Sequence, residues 1–208
     1  MKLLFVIDNL GTGGAQRQMV NLAIGLTNRG HQVRIFCYSP GDKLAQPLRD
    51  AGISVEWWEK HSRYSLNVIF ALYRTIARGR FDLVLSFLST PNFYSLIAGR
   101  LAKGRKIPVI VSERFCDLPQ GMGLMENFVR QTYRLADHVI VNSHHPRDNF
   151  VNRYPFLWSR ISTIYNGYDL KSFVPPAAEP ENRPLKILCI ASVSPYKNGL
   201  CVVEALHR

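Results

Sequence analysis

A chain of 208 residues, 47% hydrophobic and 20% charged, has apolar mass for one large domain or a domain with a further fragment, which excludes disorder over most of its length. Its four scattered cysteines, Cys37, Cys116, Cys189 and Cys201, form no CxxC pair and have no histidine at ligand spacing. That excludes a zinc site and a disulfide framework, and leaves reduced, mostly buried thiols suited to a cytoplasm. The net charge of +11 is uneven: nine Lys and Arg lie between Lys60 and Ile110 against one acid, Asp82. Such a stretch is either a solvated face or an attraction for something anionic, whether phospholipid, a polyprenyl diphosphate or nucleic acid.

The chain opens on a continuous apolar run, Leu3–Ile7, of the kind found in a parallel strand covered on both faces. Asp8 ends it too soon for a signal peptide, and no later stretch is long and apolar enough to span a bilayer. A glycine loop, Gly11–Gly14, leads into a helix over Ala15–Asn28, with Met19, Leu22, Ala23 and Leu26 on its inner face and Gly30 closing it. Val33–Tyr38 is a strand, Leu44–Asp50 a short helix and Ile53–Trp57 a third strand. Leu66–Arg78 has helical period, with Leu66, Ile69, Leu72, Tyr73 and Ile76 inward and Arg74 and Arg78 outward. Strands follow at Leu83–Phe87, Val109–Ser112, His138–Asn142 and Ile161–Tyr165, separated by helices at Asn92–Ala102, Met125–Leu135 and Pro146–Arg153.

Repeated βα units predict an α/β fold with a doubly wound, Rossmann-like parallel sheet. Ligands of such sheets bind in the loops after the strands. The expected first domain covers residues 1–174. A proline-rich linker over 175–184 follows, and then a strand at Leu185–Ala191 and a helix from Gly199 to Leu206 restart the pattern within 185–208. The apolar strand, with no sheet to join, offers a route to oligomers.

Three loops carry the candidate chemistry. Gly11-Thr12-Gly13-Gly14 lies between the first strand and the first helix, where backbone amides favour an anion. It is not a dinucleotide fingerprint: Gln16 holds the third glycine's place, and Cys37-Tyr38-Ser39 supply no acid for a ribose. Asn166-Gly167-Tyr168-Asp169 is a turn before the linker. Lys197, in Ser194-Pro195-Tyr196-Lys197-Asn198-Gly199, stands ahead of a helix where it can hold a diphosphate. There is no recognition helix, RNA-binding aromatic signature or zinc site, so nucleic acid is not an expected partner.

Together these loops resemble the retaining glycosyltransferases of family 4, whose GT-B fold sets two Rossmann-like domains face to face. The resemblance rests on Gly13-Gly14-Ala15-Gln16, on Asn166-Gly167-Tyr168-Asp169 with Phe173-Val174-Pro175, and on Ala191 to Asn198. Ser86 to Asn92 and Val111-Ser112-Glu113-Arg114 are similar to members that build bacterial surface or lipid-linked glycans. Gln16, Ser192 and Arg114 depart from the family's usual Glu, donor-phosphate Arg and His, and the acidic donor motif has no counterpart within 208 residues.

The resemblance implies transfer of a sugar from a nucleotide diphosphate sugar to a hydroxyl acceptor, a glycan or polyprenyl-diphosphate-linked precursor such as that of lipopolysaccharide or capsule, with retention. It implies no cofactor and no metal, the chain having no DxD. It casts Arg114 as the catalytic residue, and Gly13, Gly14, Ser112, Glu113, Asn166 and Lys197 as donor or acceptor contacts. Arg100, Lys103, Arg105 and Lys106 form an expected patch toward an anionic membrane surface, with the protein cytoplasmic and peripheral at the inner face of the membrane. Residues 1–208 alone are expected to be inactive. The rival reading is a non-catalytic membrane- or acceptor-binding module.

Overall fold

The computed structural model describes residues 1–60, 65–102, 107–114, 123–170, 187–190 and 197–207. It divides into two compact units, Met1–Gly167 and Tyr168–Arg208. The expected linker over 175–184 lies outside the described residues, as do Lys103, Arg105, Lys106, Cys116 and Ser192.

Among the described residues the first unit is built on seven strands: β1 (Lys2–Val6), β2 (Gln32–Cys37), β3 (Ser54–Trp57), β4 (Leu83–Phe87), β5 (Val109–Glu113), β6 (His138–Val141) and β7 (Ile161–Thr163). All pair in parallel, in the order β3-β2-β1-β4-β5-β6-β7. The helices are α1 (Gly14–Thr27), α2 (Ala45–Asp50), α3 (Leu66–Gly79), α4 (Ser89–Leu101), α5 (Leu124–Gln131) and α6 (His144–Arg153). This is the doubly wound α/β fold that the alternating pattern implies.

Strand alternation builds two cores. Leu4 and Val6 of β1 join Phe36, Leu72, Ile76 and Val84 in a cluster on the α3 side. Leu3, Phe5 and Ile7 join Met19, Ala23, Ile35 and Leu48 in another, on the α1 side. In the central strands residues of both faces thus meet helix, which is why β1 and β4 read as mostly apolar runs instead of alternating. Gly30 closes α1 as expected. Its φ of 83° is left-handed, its N–H bonds to Thr27 and that of His31 reaches Leu26, the paired bonds of a Schellman motif.

Several expectations are corrected. Leu22 and Leu66 face solvent, at 39% and 80% exposure, and Tyr73 is half-buried. Leu66 is the first residue of α3, where the helix has not yet come over the sheet. Helix α4 starts at Ser89, ahead of Pro91, because proline is tolerated in a first helical turn. The α5 helix ends at Gln131 and tightens into a 3-10 turn over Thr132–Leu135, and a second such turn spans Pro155–Arg160. In the second unit, residues 187–190 carry no strand, and α7 spans Gly199–His207. Cys37 is buried, but Cys189 and Cys201 are exposed, alongside the equally exposed Leu188, Ile190 and Leu200.

One backbone feature stands out where β4 turns into α4. Leu88 has φ 78° and ψ 153°, a region that glycine alone enters freely and that costs about 1–3 kcal/mol for other residues. Leu88→Gly and Leu88→Ala both lose the side chain, but only glycine relieves the backbone. In urea melts the Gly variant is expected to be more stable than the Ala variant by about 1 kcal/mol; equal midpoints would show that the strain is absent.

Candidate active site at the switch point

The strand order reverses between β1 and β4, which opens a crevice at their carboxyl ends. Three loops reach it. After β1, the Asp8 carboxylate accepts the N–H of Asn9 at 2.7 Å and Nε2 of Gln16 at 3.1 Å. The Asp8 carbonyl takes the N–H groups of Tyr38 and Ser39, fastening β1 to β2. Burial, and then Asp8, push the Cys37 thiol and the Tyr38 phenol up. Cys37 is a buried core thiol, and that burial disfavours its thiolate.

Gly13 is the N-cap of α1 and offers no capping side chain, so the first-turn amides face the loop. A Cβ at Gly13 would sit 2.2 Å from Oε1 of Gln16, whereas one at Gly14 would meet nothing within 4 Å. A side chain at 13 would therefore have to move the Gln16 amide off Asp8, a shift that the end of a flexible side chain can make. Its φ of −68° is ordinary, so the only constraint on the position is the closeness of the Gln16 amide.

The second loop leaves β5. Arg114 donates from Nε to Oγ of Ser112 at 2.8 Å and from Nη1 to Oδ1 of Asn166 at 2.6 Å. Its guanidinium lies 4.7 Å from the centre of the Phe87 ring, at the end of β4. Burial lowers its pKa, but a guanidinium keeps its proton in a protein. Ser112 is fully buried, so its hydroxyl serves Arg114. The third loop follows β7, where Gln18 of α1 clips Gly167 by reciprocal bonds of 3.1 Å. Arg114, Ser112, Asn166 and the start of α1 thus come together.

Glu113 does not join them. It is 1% exposed and points inward, which corrects the expectation of a ligand contact. Its Oε2 accepts from the Tyr133 hydroxyl at 2.8 Å and from Ser89 at 3.2 Å, with Nε of the buried Arg130 at 3.8 Å. Burial and the Glu113 charge raise the Tyr133 pKa well above its usual value. Beside it, Asn92 donates to the Ser112 carbonyl and to the Tyr133 hydroxyl, and accepts from Ser86 at 2.7 Å. That carbonyl also takes the N–H of the strained Leu88. Arg130 and Tyr133 were not legible as site residues: each sits in a helix or turn with no motif, and only the fold brings them to β5, whereas Leu88 and Asn92 lie in the Ser86 to Asn92 stretch without any sign there of the backbone strain or of the bonds to β5.

A half-open cavity of about 460 Å³ adjoins this network at the amino ends of α3, α4 and α5. Its walls combine Lys60, Ser89, Thr90 and Glu126 with the rings of Phe93 and Phe128. The Ser89 hydroxyl bonds both Glu113 and Glu126, joining the cavity to the buried network. Lys197 belongs to the second unit, exposed and two residues ahead of α7. Arg100 donates to the Leu135 carbonyl at 2.5 Å and is the one residue of the expected membrane patch that is described. No cluster of three or more His, Cys, Asp or Glu suited to a metal is found among the described residues.

Comparison with known proteins places these features in context. Residues 12–172 match the family model described as Glycosyltransferase Family 4. An α-1,4-N-acetyl-D-galactosaminyltransferase of Campylobacter jejuni, whose name specifies a diNAcBac-PP-undecaprenol-linked glycan, is 31% identical over 119 residues, 54% of this chain and 32% of that protein. An alpha-1,3/1,6-mannosyltransferase of Schizosaccharomyces pombe is 21% identical across 85% of this chain and 38% of its own. Among solved structures, Anabaena HepE in complex with UDP and glucose superimposes with a TM-score of 0.67 and 21% identity, over 82% of this chain and 46% of that one. The chain therefore spans about a third to a half of the length of these relatives.

The geometry separates Glu113 from Arg114. Glu113→Gln takes the charged acceptor from Tyr133 and Ser89 and leaves Arg130 with Glu126, at 3.4 Å, as its carboxylate partner, and is expected to cost about 2–3 kcal/mol in a urea melt. Arg114→Ala, half-buried at the rim, is expected to cost less than about 1.5 kcal/mol by the same measurement. Comparable losses would mean that Arg114 is part of the scaffold.

Proposed function

The chain belongs to glycosyltransferase family 4, and on that premise we propose that the protein transfers a sugar from a nucleotide diphosphate sugar to a hydroxyl of a lipid-linked or cell-surface glycan precursor, with retention. The observation that carries this reading is Arg114. It is a cation held by Ser112, Asn166 and Phe87 at the switch point, where charge develops on a departing diphosphate or where an acceptor oxygen must be held. The bare amides of the α1 amino end, at Gly13 and Gly14, add positive potential from the other side of the crevice. Lys197 is assigned to the donor diphosphate, and no metal or cofactor takes part.

The cavity beside Ser89 suits the acceptor. It offers hydroxyl and carboxylate groups, a lysine, and aromatic walls for an apolar carrier. The Campylobacter relative's polyprenyl-linked substrate supports this class of acceptor. Work on such a substrate would bring the protein to the inner face of a membrane. Among the described residues no helix is long and apolar enough to cross one, and the basic excess between Lys60 and Ile110 supplies attraction to anionic lipid. Exposed Leu66, Phe70 and Leu101, around a shallow groove between α3 and α4, supply apolar contact. A non-catalytic membrane-binding module uses the same face but leaves the polar constellation around Arg114 without a task.

Two experiments test the reading. In the full-length protein, Arg114→Ala is expected to lower sugar transfer at least about tenfold at saturating donor, and Arg114→Lys to rescue little of it, since an ammonium cannot span Ser112 and Asn166 as the planar fork does. Unchanged turnover in both variants would remove Arg114 from the mechanism. Residues 1–208 alone are expected to release no nucleoside diphosphate from a panel of nucleotide sugars with lipid-linked acceptor. Steady release would refute the need for a second domain wall.

A further inference from the structure

Away from the carboxyl ends of the strands, a second concentration of charge lies on the α3 side of the sheet, at its β3 edge. Period-two alternation creates it. Leu4 and Val6 pack under α3, so Lys2 emerges on the same face. Arg34 pairs in register with Leu4 and shares its face with the buried Phe36. Glu56 of β3 reaches toward α3 and accepts the Thr75 hydroxyl at 2.6 Å. The last two turns of α3 bring Arg74 and Arg78 across from these strands. They enclose a half-open cavity of about 480 Å³, which Trp58 closes on one side.

Four cations and one acid line this cavity: Lys2, Arg34, Arg74 and Arg78 against Glu56. The single carboxylate is already shared, between Thr75 and Arg34 at 3.9 Å. Lys2, Arg34 and Arg74 also stand beside aromatic faces, which hold their stems without cancelling their charge. Lys2 and Arg34 stand 5.5 and 5.8 Å from the centre of the Phe81 ring, and Arg74 is 5.5 Å from that of Phe70. The nearby Asp82 carboxylate receives the backbone N–H of Lys2 at 2.8 Å. Cations gathered in one concave, half-enclosed space repel one another, and a bound anion removes that repulsion. Guanidinium forks suit phosphate oxygens in particular.

We infer that this cavity is an anion site, separate from the transfer centre, that binds a phosphate group: a free diphosphate or the headgroup of an anionic phospholipid. Arg74 and Arg78 grip the phosphate oxygens, Lys2 contributes a point charge, and Trp58 forms the wall. The reading does not depend on the transfer chemistry proposed above.

The test is calorimetric titration of the 208-residue chain with inorganic pyrophosphate at low salt, beside co-sedimentation with phosphatidylcholine vesicles with and without phosphatidylglycerol. Arg74→Ala/Arg78→Ala is expected to weaken binding at least tenfold. Arg29→Ala/Arg153→Ala, which removes equal charge from exposed positions elsewhere, is expected to leave it within twofold. Glu56→Gln keeps the bond from Thr75 while deleting the opposing charge, and is expected to tighten binding several-fold, a gain that a purely structural role for these charges does not produce. Pyrophosphate binding with this pattern identifies a free-phosphate site, and the same pattern on phosphatidylglycerol vesicles alone identifies a headgroup site. If both arms are indifferent to Arg74→Ala/Arg78→Ala, or the two double variants weaken binding equally, or Glu56→Gln brings no tightening, the inference falls.

Discussion

The carboxylate of Glu113 is the constraint around which the crevice is arranged. A buried charge at the end of a strand costs several kcal/mol unless it is met by donors and an opposite charge. Here they come from distant parts of the chain: the hydroxyl donors are Ser89 at the start of α4 and Tyr133 from a 3-10 turn, and the opposite charge is Arg130 from α5. Satisfying one carboxylate therefore draws three connections onto β5. Arg130 in turn lies 4.7 Å from the centre of the Phe150 ring, which brings in α6. The polar interior on this side of the sheet is thus a single connected network, and each member is held by others.

What the network holds in place is the residue that follows. With Glu113 pointing inward, strand alternation sends Arg114 toward the crevice, where Ser112, Asn166 and Phe87 restrain it. Asn92 completes the arrangement by tying β4, β5 and the 3-10 turn through Ser86, the Ser112 carbonyl and Tyr133. The strained backbone of Leu88 is fastened to that same carbonyl. Strain of this kind persists where the surroundings over-determine a conformation, and it sits here at the topological switch point. A buried layer thus supports a half-buried cation at the rim, the arrangement a site for a developing charge requires.

The basic character of the chain is divided in the fold. Arg114 stands at the crevice, Arg100 is engaged with a helix-end carbonyl, and Lys2, Arg34, Arg74 and Arg78 gather at the β3 edge. A net charge says only that anions are attracted. The aromatic and carboxylate groups beside each cation decide whether it neutralises, packs or remains available.

The sequence by itself determined the seven strands, their parallel doubly wound class and the loops worth inspecting, because apolar runs and turn residues are local signals. Leu3–Ile7 and Leu83–Phe87 could be read directly, as could the glycine closing α1. The Gly13, Ser112, Arg114 and Asn166 positions were also marked by motif. Tertiary structure alone decided how they are used. It turned Glu113 from a presumed contact into a buried support, exposed Leu66 and Leu22, set Gly13 against the Gln16 amide, and placed Asn92, Arg130 and Tyr133 behind the site. It also brought Lys2 beside Arg34 and Arg74, residues that share no motif. Periodicity reports which face a residue takes along its own helix or strand. Which other element covers that face is set by packing between segments far apart in the chain, where a buried charge must find its partners, and no local pattern encodes it.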